Sequence, residues 1–235
     1  MRYFTLVMCL VALTWSVAAG QTAYDDVANG YWNAAGTWDV GAGYPSATGD
    51  TALIDTNIVE MNVNTPADVA ITLGGGSMEV YRNAVDILSP INVTAPSSIW
   101  QDRTDYAGTD KMRLKGAITG ASLLTVDTQR RGVRVYNSNP GFSGGWQLDS
   151  GYLLAYADQA FGTGAITVNG GQLAFTTDQP SYATPLPVAV NAGGEVNVSS
   201  YSNVSNVALT YNADGTYFIH KSYTFSGTVD IGANT

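Results

Sequence analysis

Short runs of alternating apolar and polar residues recur along the chain, and each is followed by a turn rich in Gly, Asn or Asp. Ile166-Thr-Val168, for example, is followed by Asn169-Gly-Gly171 and then by a second alternating run. Alternation with a period of two is typical of strands. Beyond the N-terminal segment, apolar residues nowhere recur at helical spacing over a helix-length stretch. The pattern therefore predicts an all-β chain.

These runs start at regular intervals. Their first apolar residues stand at positions 71, 91, 124, 146, 166, 188, 209 and 229, and only the interval from 91 to 124 is clearly longer than the others. A nearly fixed period, built from short strands and small-residue corners, is typical of a β-solenoid. In a β-solenoid equivalent positions stack in parallel, apolar on apolar along the strands and Asn, Thr or Gly at the corners. The predicted inward residues are Ile71, Ile91, Trp146, Ile166, Val188 and Leu209, or the residues two positions after them.

Three other readings of the pattern are a meander of β-hairpins, a leucine-rich repeat and a β-sandwich. Asn-Gly between alternating runs is a common hairpin turn, but a meander or a sandwich does not require so regular a spacing. The chain also lacks the dense Leu pattern of leucine-rich repeats. We predict a right-handed parallel β-helix of about 20–22 residues per coil over residues 51–235. Residues 20–50 are predicted to form an N-terminal cap, in which Trp32, Trp38 and Tyr44 cover the first coil.

The N-terminal segment 1–19 has the features of a secretory signal peptide. Arg2 precedes an almost unbroken apolar run from Tyr3 to Val17, and small residues follow it. The alternative is an N-terminal membrane anchor, but the run is short and no basic cluster follows it. No later segment is apolar enough to cross a bilayer. We therefore expect export, and a chain that is secreted or held at the outer membrane or cell surface.

The net charge restricts the expected ligands, and the cysteine content restricts how the mature chain is stabilised. The formal net charge of −9 disfavours nucleic acids and anionic membranes as ligands. The one cysteine, Cys9, lies inside the predicted signal peptide, so the mature chain would contain no disulfide. Its stability must then come from packing and backbone pairing.

Several segments carry a family resemblance, and they follow one another in the family's order: Leu114–Gly120, Val133–Asn137, Gly141–Gly145, Ser150–Leu153 and Ala160–Leu173. The chain resembles the autotransporter-associated β-strand repeat, although Gln129–Gly132 and Asn139–Phe142 depart from its pattern. A second copy starts at Pro187–Asn191. The resemblance implies a parallel β-helix scaffold of bacterial exported proteins, with no catalytic residues and no cofactor. We also expect the chain to be truncated at its C-terminus, with the missing region carrying the anchor.

Candidate chemistry is concentrated in one insertion-like segment. His220 stands alone, and Asp25-Asp26 and Asp214 are isolated in the sequence, so no metal site is predicted. Residues 100–111 combine carboxylates with aromatic side chains, a combination that can bind sugars. The candidate carbohydrate-contact residues are Trp100, Asp102, Arg103, Asp105, Tyr106 and Asp110. The alternative interpretation is a solvated loop whose charges keep it soluble.

From these observations we expect an exported, non-enzymatic surface scaffold or adhesin-like passenger domain, whose ligand would be a surface glycan or a host or matrix molecule. The alternative function is a carbohydrate-binding or polysaccharide-degrading protein, a lyase or hydrolase, that uses the loop 100–111. Convergence of Asp102, Asp105 or Asp110 with Asp127 or Asp149 would favour the enzyme, because glycosidases use paired carboxylates.

Overall fold

The computed structural model describes residues 21–41, 43–80, 84–101, 111–176, 181–198, 205–212, 216–219 and 229–230. Within them, regular structure is almost entirely β, apart from one short 3-10 helix at Ala35–Thr37. The strands are β1 (Ala23–Asp25), β2 (Gly30–Tyr31), β3 (Thr51–Ile54), β4 (Ile58–Met61), β5 (Ala70–Leu73), β6 (Ser77–Val80), β7 (Val85–Ile87), β8 (Ile91–Val93), β9 (Ser97–Trp100), β10 (Lys111–Leu114), β11 (Ile118–Gly120), β12 (Leu124–Val135), β13 (Trp146–Ala155), β14 (Ile166–Val168), β15 (Gly171–Phe175), β16 (Ser181–Val190), β17 (Gly194–Val198), β18 (Ser205–Tyr211), β19 (Thr216–Ile219) and β20 (Val229–Asp230).

Several features singled out in the sequence lie outside the described residues. They are the predicted signal peptide 1–19, the loop residues Asp102, Arg103, Asp105, Tyr106 and Asp110, and the isolated residues Asp214 and His220.

The strands stack as three parallel ladders. Ladder A has the order β1-β3-β5-β8-β11, and ladder B the order β2-β4-β6-β9-β12-β13-β14-β16-β18-β20. Ladder C runs β7-β10-β12-β13-β15-β17-β19, because β12 and β13 are long enough to belong to both B and C. Every strand pairing among the described residues is parallel. The predicted parallel β-solenoid is confirmed.

The predicted register of ladder B is also confirmed. Leu124 pairs with Trp146, Trp146 with Ile166, and Ile166 with Val188, and the series continues through Leu209. These side chains are at most 2% exposed, so each coil places an apolar residue on the one before it. Stacking of equivalent positions thus produces one continuous core.

One equivalence drawn from the sequence is wrong. Position 91 does not continue to position 124: Ile91 pairs with Ile118 in ladder A, and Leu124 pairs with Ser97 in ladder B. The interval between 91 and 124 is long because the two positions are not equivalent: residue 91 belongs to ladder A and residue 124 to ladder B. The signal of β11 is weak because Ile118 is its only large apolar residue. The coil from Ile91 to Ile118 is still longer than its neighbours, and the insertion between β9 and β10 lies within it.

Among the described residues, ladder A ends at β11 and is continued by a single bridge from Gly120 to Phe142. Where it ends, aromatic side chains enter the core. The indole of Trp146 packs edge-on against Phe142 and Phe161, with ring centroids 5.5 and 6.0 Å apart, and its Nε1 donates to the Phe161 carbonyl at 3.0 Å. Phe161 in turn contacts Phe175 at 5.8 Å. Large rings occupy the space that a third strand would otherwise fill.

The N-terminal segment adds β1 and β2 to ladders A and B and folds back over the first coil. Trp38 pairs antiparallel with Asp26, and the backbone N–H of Asp39 donates to the Asp25 carbonyl at 3.0 Å. Trp32 and Trp38 are buried and their rings meet edge-on, with centroids 5.3 Å apart. Tyr44 retains 37% exposure.

Asparagine side chains stack at the corner that follows ladder B. Asn212 Nδ2 donates to Asn191 Oδ1 at 3.0 Å, and Asn191 Nδ2 donates to Asn169 Oδ1 at 2.7 Å. Asn169 Nδ2 donates in turn to Asp149 Oδ1 at 2.7 Å. The repeat predicts such stacking at the corners. The stacked side chains satisfy one another's hydrogen-bonding groups from one coil to the next.

Candidate functional site

Trp100 is the one predicted sugar-contact residue that the structure places, and it lies at the end of β9. In ladder B it pairs with Glu79 on one side and with Asp127 on the other. Glu79 pairs in turn with Glu60. We call Glu60, Glu79, Trp100 and Asp127 the acidic–aromatic column. Each follows a core residue directly, so all four occupy the outer side of their strands.

The column could bring carboxylates to either side of an aromatic ring. Adjacent strands lie about 4.8 Å apart, so the Cα atoms of Glu79 and Asp127 are roughly 10 Å apart with Trp100 between them. Glu79 is only 8% exposed, whereas Trp100 and Asp127 are half-buried. Inverting glycosidases hold their two carboxyl groups about 6.5–9.5 Å apart, a separation that side chains from these positions can reach.

Glu60 and Glu79 were missed in the sequence, although a signal for them exists. Both occupy the same offset within their alternating runs as Trp100 and Asp127 do, directly after Val59 and Met78. Aligning the runs by their outward positions, and not only by the apolar ones, would have found them.

Asp149 is the other strand carboxylate whose convergence with the loop would favour an enzyme, but it does not join the column. Asp127 pairs with Ser150, so the register skips Asp149 at a bulge. The Asp149 carboxylate accepts hydrogen bonds from Gln147 and Asn169, both from side-chain amides. It therefore ends the asparagine stack, which is a structural role.

A second acidic group forms in the first coil. Asp25, Asp26 and Asp55 place carboxylate oxygens within 4.8 Å of one another, the one such set among the described residues. The prediction that Asp25-Asp26 is isolated is therefore wrong, since β3 brings Asp55 beside it. Burial raises the pKa of Asp25, and the nearby charges of Asp55 and Asp39 raise it further.

Asp26 has a structural role within this group. It is 4% exposed, and its two oxygens accept hydrogen bonds from the backbone N–H groups of Asp55, at 2.9 Å, and Asn57, at 2.6 Å. Burial raises its pKa even though these two bonds oppose the shift. Because each of its oxygens already accepts a hydrogen bond from the 55–57 turn, the Asp26 carboxylate holds that turn against the first strand.

At Asp50, hydrogen bonding outweighs burial, so the pKa is lowered and not raised. Burial alone would raise its pKa, but backbone N–H groups of Ala47, Ser46 and Thr22 donate to its carboxylate at 2.9–3.1 Å and together hold the pKa below the usual range. Three bonds to the charged form outweigh desolvation here. Asp50 thereby ties the 46–50 turn to the strand that begins the chain's first coil.

Comparisons of the chain with protein-family models, with curated proteins and with solved structures find no match. In the part of the chain that the structure describes, no helix has the length and apolar character needed to span a membrane.

Proposed function

We propose that the chain is an exported, non-enzymatic surface scaffold of the adhesin-like, passenger type. The observation that carries this proposal is the uninterrupted stack of strands in ladder B, from β2 to β20. At about 4.8 Å per step, such a stack extends a rigid body over roughly 40 Å. The apolar N-terminal segment and the resemblance to autotransporter-associated repeats support export.

Three of the described carboxylates also favour a scaffold. Asp26, Asp50 and Asp149 all accept hydrogen bonds from neighbouring backbone or side-chain groups. These carboxylates stabilise turns and corners, so they are engaged in structure and not held ready for a substrate.

The proposal is tested by locating the protein on cells of its source organism. We expect an epitope-tagged full chain to be degraded when intact cells are treated with protease, while a cytoplasmic marker is protected. Protection of the tagged chain in intact cells, followed by its degradation after lysis, would refute export to the surface.

The acidic–aromatic column supports a second candidate, a polysaccharide-degrading enzyme. If Glu79 and Asp127 act as an acid–base pair, the purified chain will release reducing sugar or unsaturated ends from a polysaccharide. The variants Glu79→Gln and Asp127→Asn would each abolish release, while Glu60→Gln, at the edge of the column, would have a smaller effect. Absence of release across a panel of neutral and acidic polysaccharides would leave the scaffold proposal standing.

A further inference from the structure

Basic residues are concentrated in one part of an otherwise acidic chain. More than half of the Lys and Arg residues fall in the segment 111–134, in which Asp127 is the only acid. This segment includes β10, β11 and the long strand β12, whose two ends lie in ladders B and C. The parallel stacking of ladder C then gathers several of these cations on its outer side.

The register places them in adjacent coils. Arg113 pairs with Asp86 in the preceding coil and with Arg134 in the following one. Arg113 and Lys115 both form ion pairs with Asp86, the second with an Nζ–Oδ2 distance of 2.8 Å. Among the described residues, Arg134 has no carboxylate at ion-pair distance.

Two tyrosines complete this surface. The rings of Tyr136 and Tyr156 stack with centroids 4.6 Å apart and planes 21° from parallel. Lys115 Nζ lies 5.8 Å from the Tyr136 ring centroid, and the Arg134 guanidinium lies 5.2 Å from that of Tyr156. We call Asp86, Arg113, Lys115, Arg134, Tyr136 and Tyr156 the basic–aromatic patch. Its rings hold the cations in place, so less side-chain freedom is lost when an anion binds.

We propose that the basic–aromatic patch binds an acidic polysaccharide, one bearing carboxylate or sulfate groups. The planar guanidinium of Arg134 can bind either group through two parallel hydrogen bonds. Tyrosine rings offer apolar surface to the C–H groups of a sugar. Arg113 and Arg134 are one strand spacing apart, about 4.8 Å, which is close to the advance per residue of an extended polysaccharide.

The rest of the molecule argues against a nucleic acid on this patch. The formal net charge is −9, so the molecule as a whole repels polyanions, and it does so more strongly the denser their charge. Duplex DNA carries one charge per about 1.7 Å of its axis and would suffer this repulsion most. A polysaccharide with one charge per sugar residue suffers it less and gains contact with the tyrosines.

The inference rests on the proposed adhesive function, since it names the class of ligand. It is tested by calorimetric titration of the full chain with polygalacturonate, dextran sulfate and neutral dextran. We expect binding to one or both acidic polymers, weakening as salt is raised, and none to dextran. Equal binding to dextran, binding to neither acidic polymer, or tighter binding to a single-stranded oligonucleotide would overturn the inference.

Three variants locate the site. Arg134→Gln should weaken binding about fivefold or more, through loss of the bidentate contact. Asn92→Asp, on the exposed side of ladder A, makes the same change in net charge and should alter affinity by less than about twofold. Asp86→Asn should tighten binding about two- to fivefold, because it frees Arg113 and Lys115 for the ligand. Weaker binding by Asp86→Asn in a variant that keeps the wild-type thermal midpoint would contradict the assignment.

This test and the test of the proposed function can fail separately. A chain that is protease-accessible on cells but binds neither acidic polymer refutes the inference alone. A chain that binds them but remains inside the cell refutes the proposed function alone.

Discussion

The two halves of the solenoid build their cores in different ways. In the coils up to Gly120, ladder A supplies a strand in each coil, and aliphatic side chains such as Ile71, Ile91 and Ile118 pair across it. In the described residues beyond Gly120, ladder A has no further strand, and Phe142, Trp146 and Phe161 fill the interior. A solenoid can therefore lose one of its three ladders if larger side chains occupy the space that remains.

The largest effect is expected from removing the central ring of the aromatic half. Trp146→Ala should lower the free energy of unfolding by about 3–5 kcal/mol, because it creates a large cavity and leaves the Phe161 carbonyl without its donor. Urea unfolding followed by far-UV circular dichroism measures this change.

The control lies in the aliphatic half, where Ile91→Val should cost only about 0.5–1.5 kcal/mol. If Trp146→Ala lowered the free energy of unfolding no more than Ile91→Val does, the aromatic core could not be what stabilises the half without ladder A.

A smaller effect is expected at the turn that replaces a ladder A strand. Gly162 has a φ of 78°, and a Cβ at this position would lie 2.1 Å from the Phe142 carbonyl oxygen. Gly162→Ala should therefore destabilise the fold by about 2 kcal/mol or more, since neither the backbone nor the carbonyl can move freely. Thermal unfolding measures the loss.

Gly36→Ala is the matched substitution, because a Cβ at Gly36 meets no atom within 4 Å. Its thermal midpoint should stay close to that of the wild type. Equal shifts for the two variants would show that the turn at Gly162 tolerates a side chain.

The smallest effect is expected at Asp50, and it depends on pH. Because the folded-state pKa of Asp50 is lowered, its carboxylate stabilises the fold above the ordinary value of 3.8, and this contribution is lost as pH falls through the lowered pKa. Asp50→Asn should cost about 1–2 kcal/mol at pH 7 and progressively less toward pH 3, as seen by urea unfolding at each pH.

For Asp26 we expect the opposite dependence of stability on pH. Its folded-state pKa is raised, so the wild-type group stabilises the fold increasingly as pH falls through that raised pKa toward 3.8. Relative to wild type, Asp26→Asn should therefore be tolerated best at pH 7 and less well at lower pH. Parallel pH profiles for the two variants would contradict these assignments.

The sequence predicted the second half of the molecule better than the first. From Leu124 onward the coil length is nearly constant. Residues separated by one coil length in the sequence are therefore paired in ladder B. The first coil is longer, since Ala23 pairs with Thr51, whereas Thr51 pairs with Ala70 in the next. That irregular length is why the meeting of Asp26 with Asp55 could not be predicted.

The candidate sites also could not be predicted in full, because their assembly depends on coil lengths. Trp100 was singled out from local composition, but its neighbours Glu79 and Asp127 depend on the lengths of two successive coils. The basic–aromatic patch likewise forms only when Asp86, Arg113 and Arg134 are brought into register. Composition identified the charged segments, and the coil lengths decided which of their side chains meet.

The fold-back of the N-terminal segment has a consequence for how such molecules associate. The outward hydrogen-bonding groups of Asp25 are engaged by Asp39, and the N–H of Val27 donates to the Thr37 carbonyl at 3.0 Å. A strand from a second molecule finds these groups already occupied, so β-augmentation along β1 is blocked. The ladder A edge of the first coil is thus closed to head-on pairing with a second molecule.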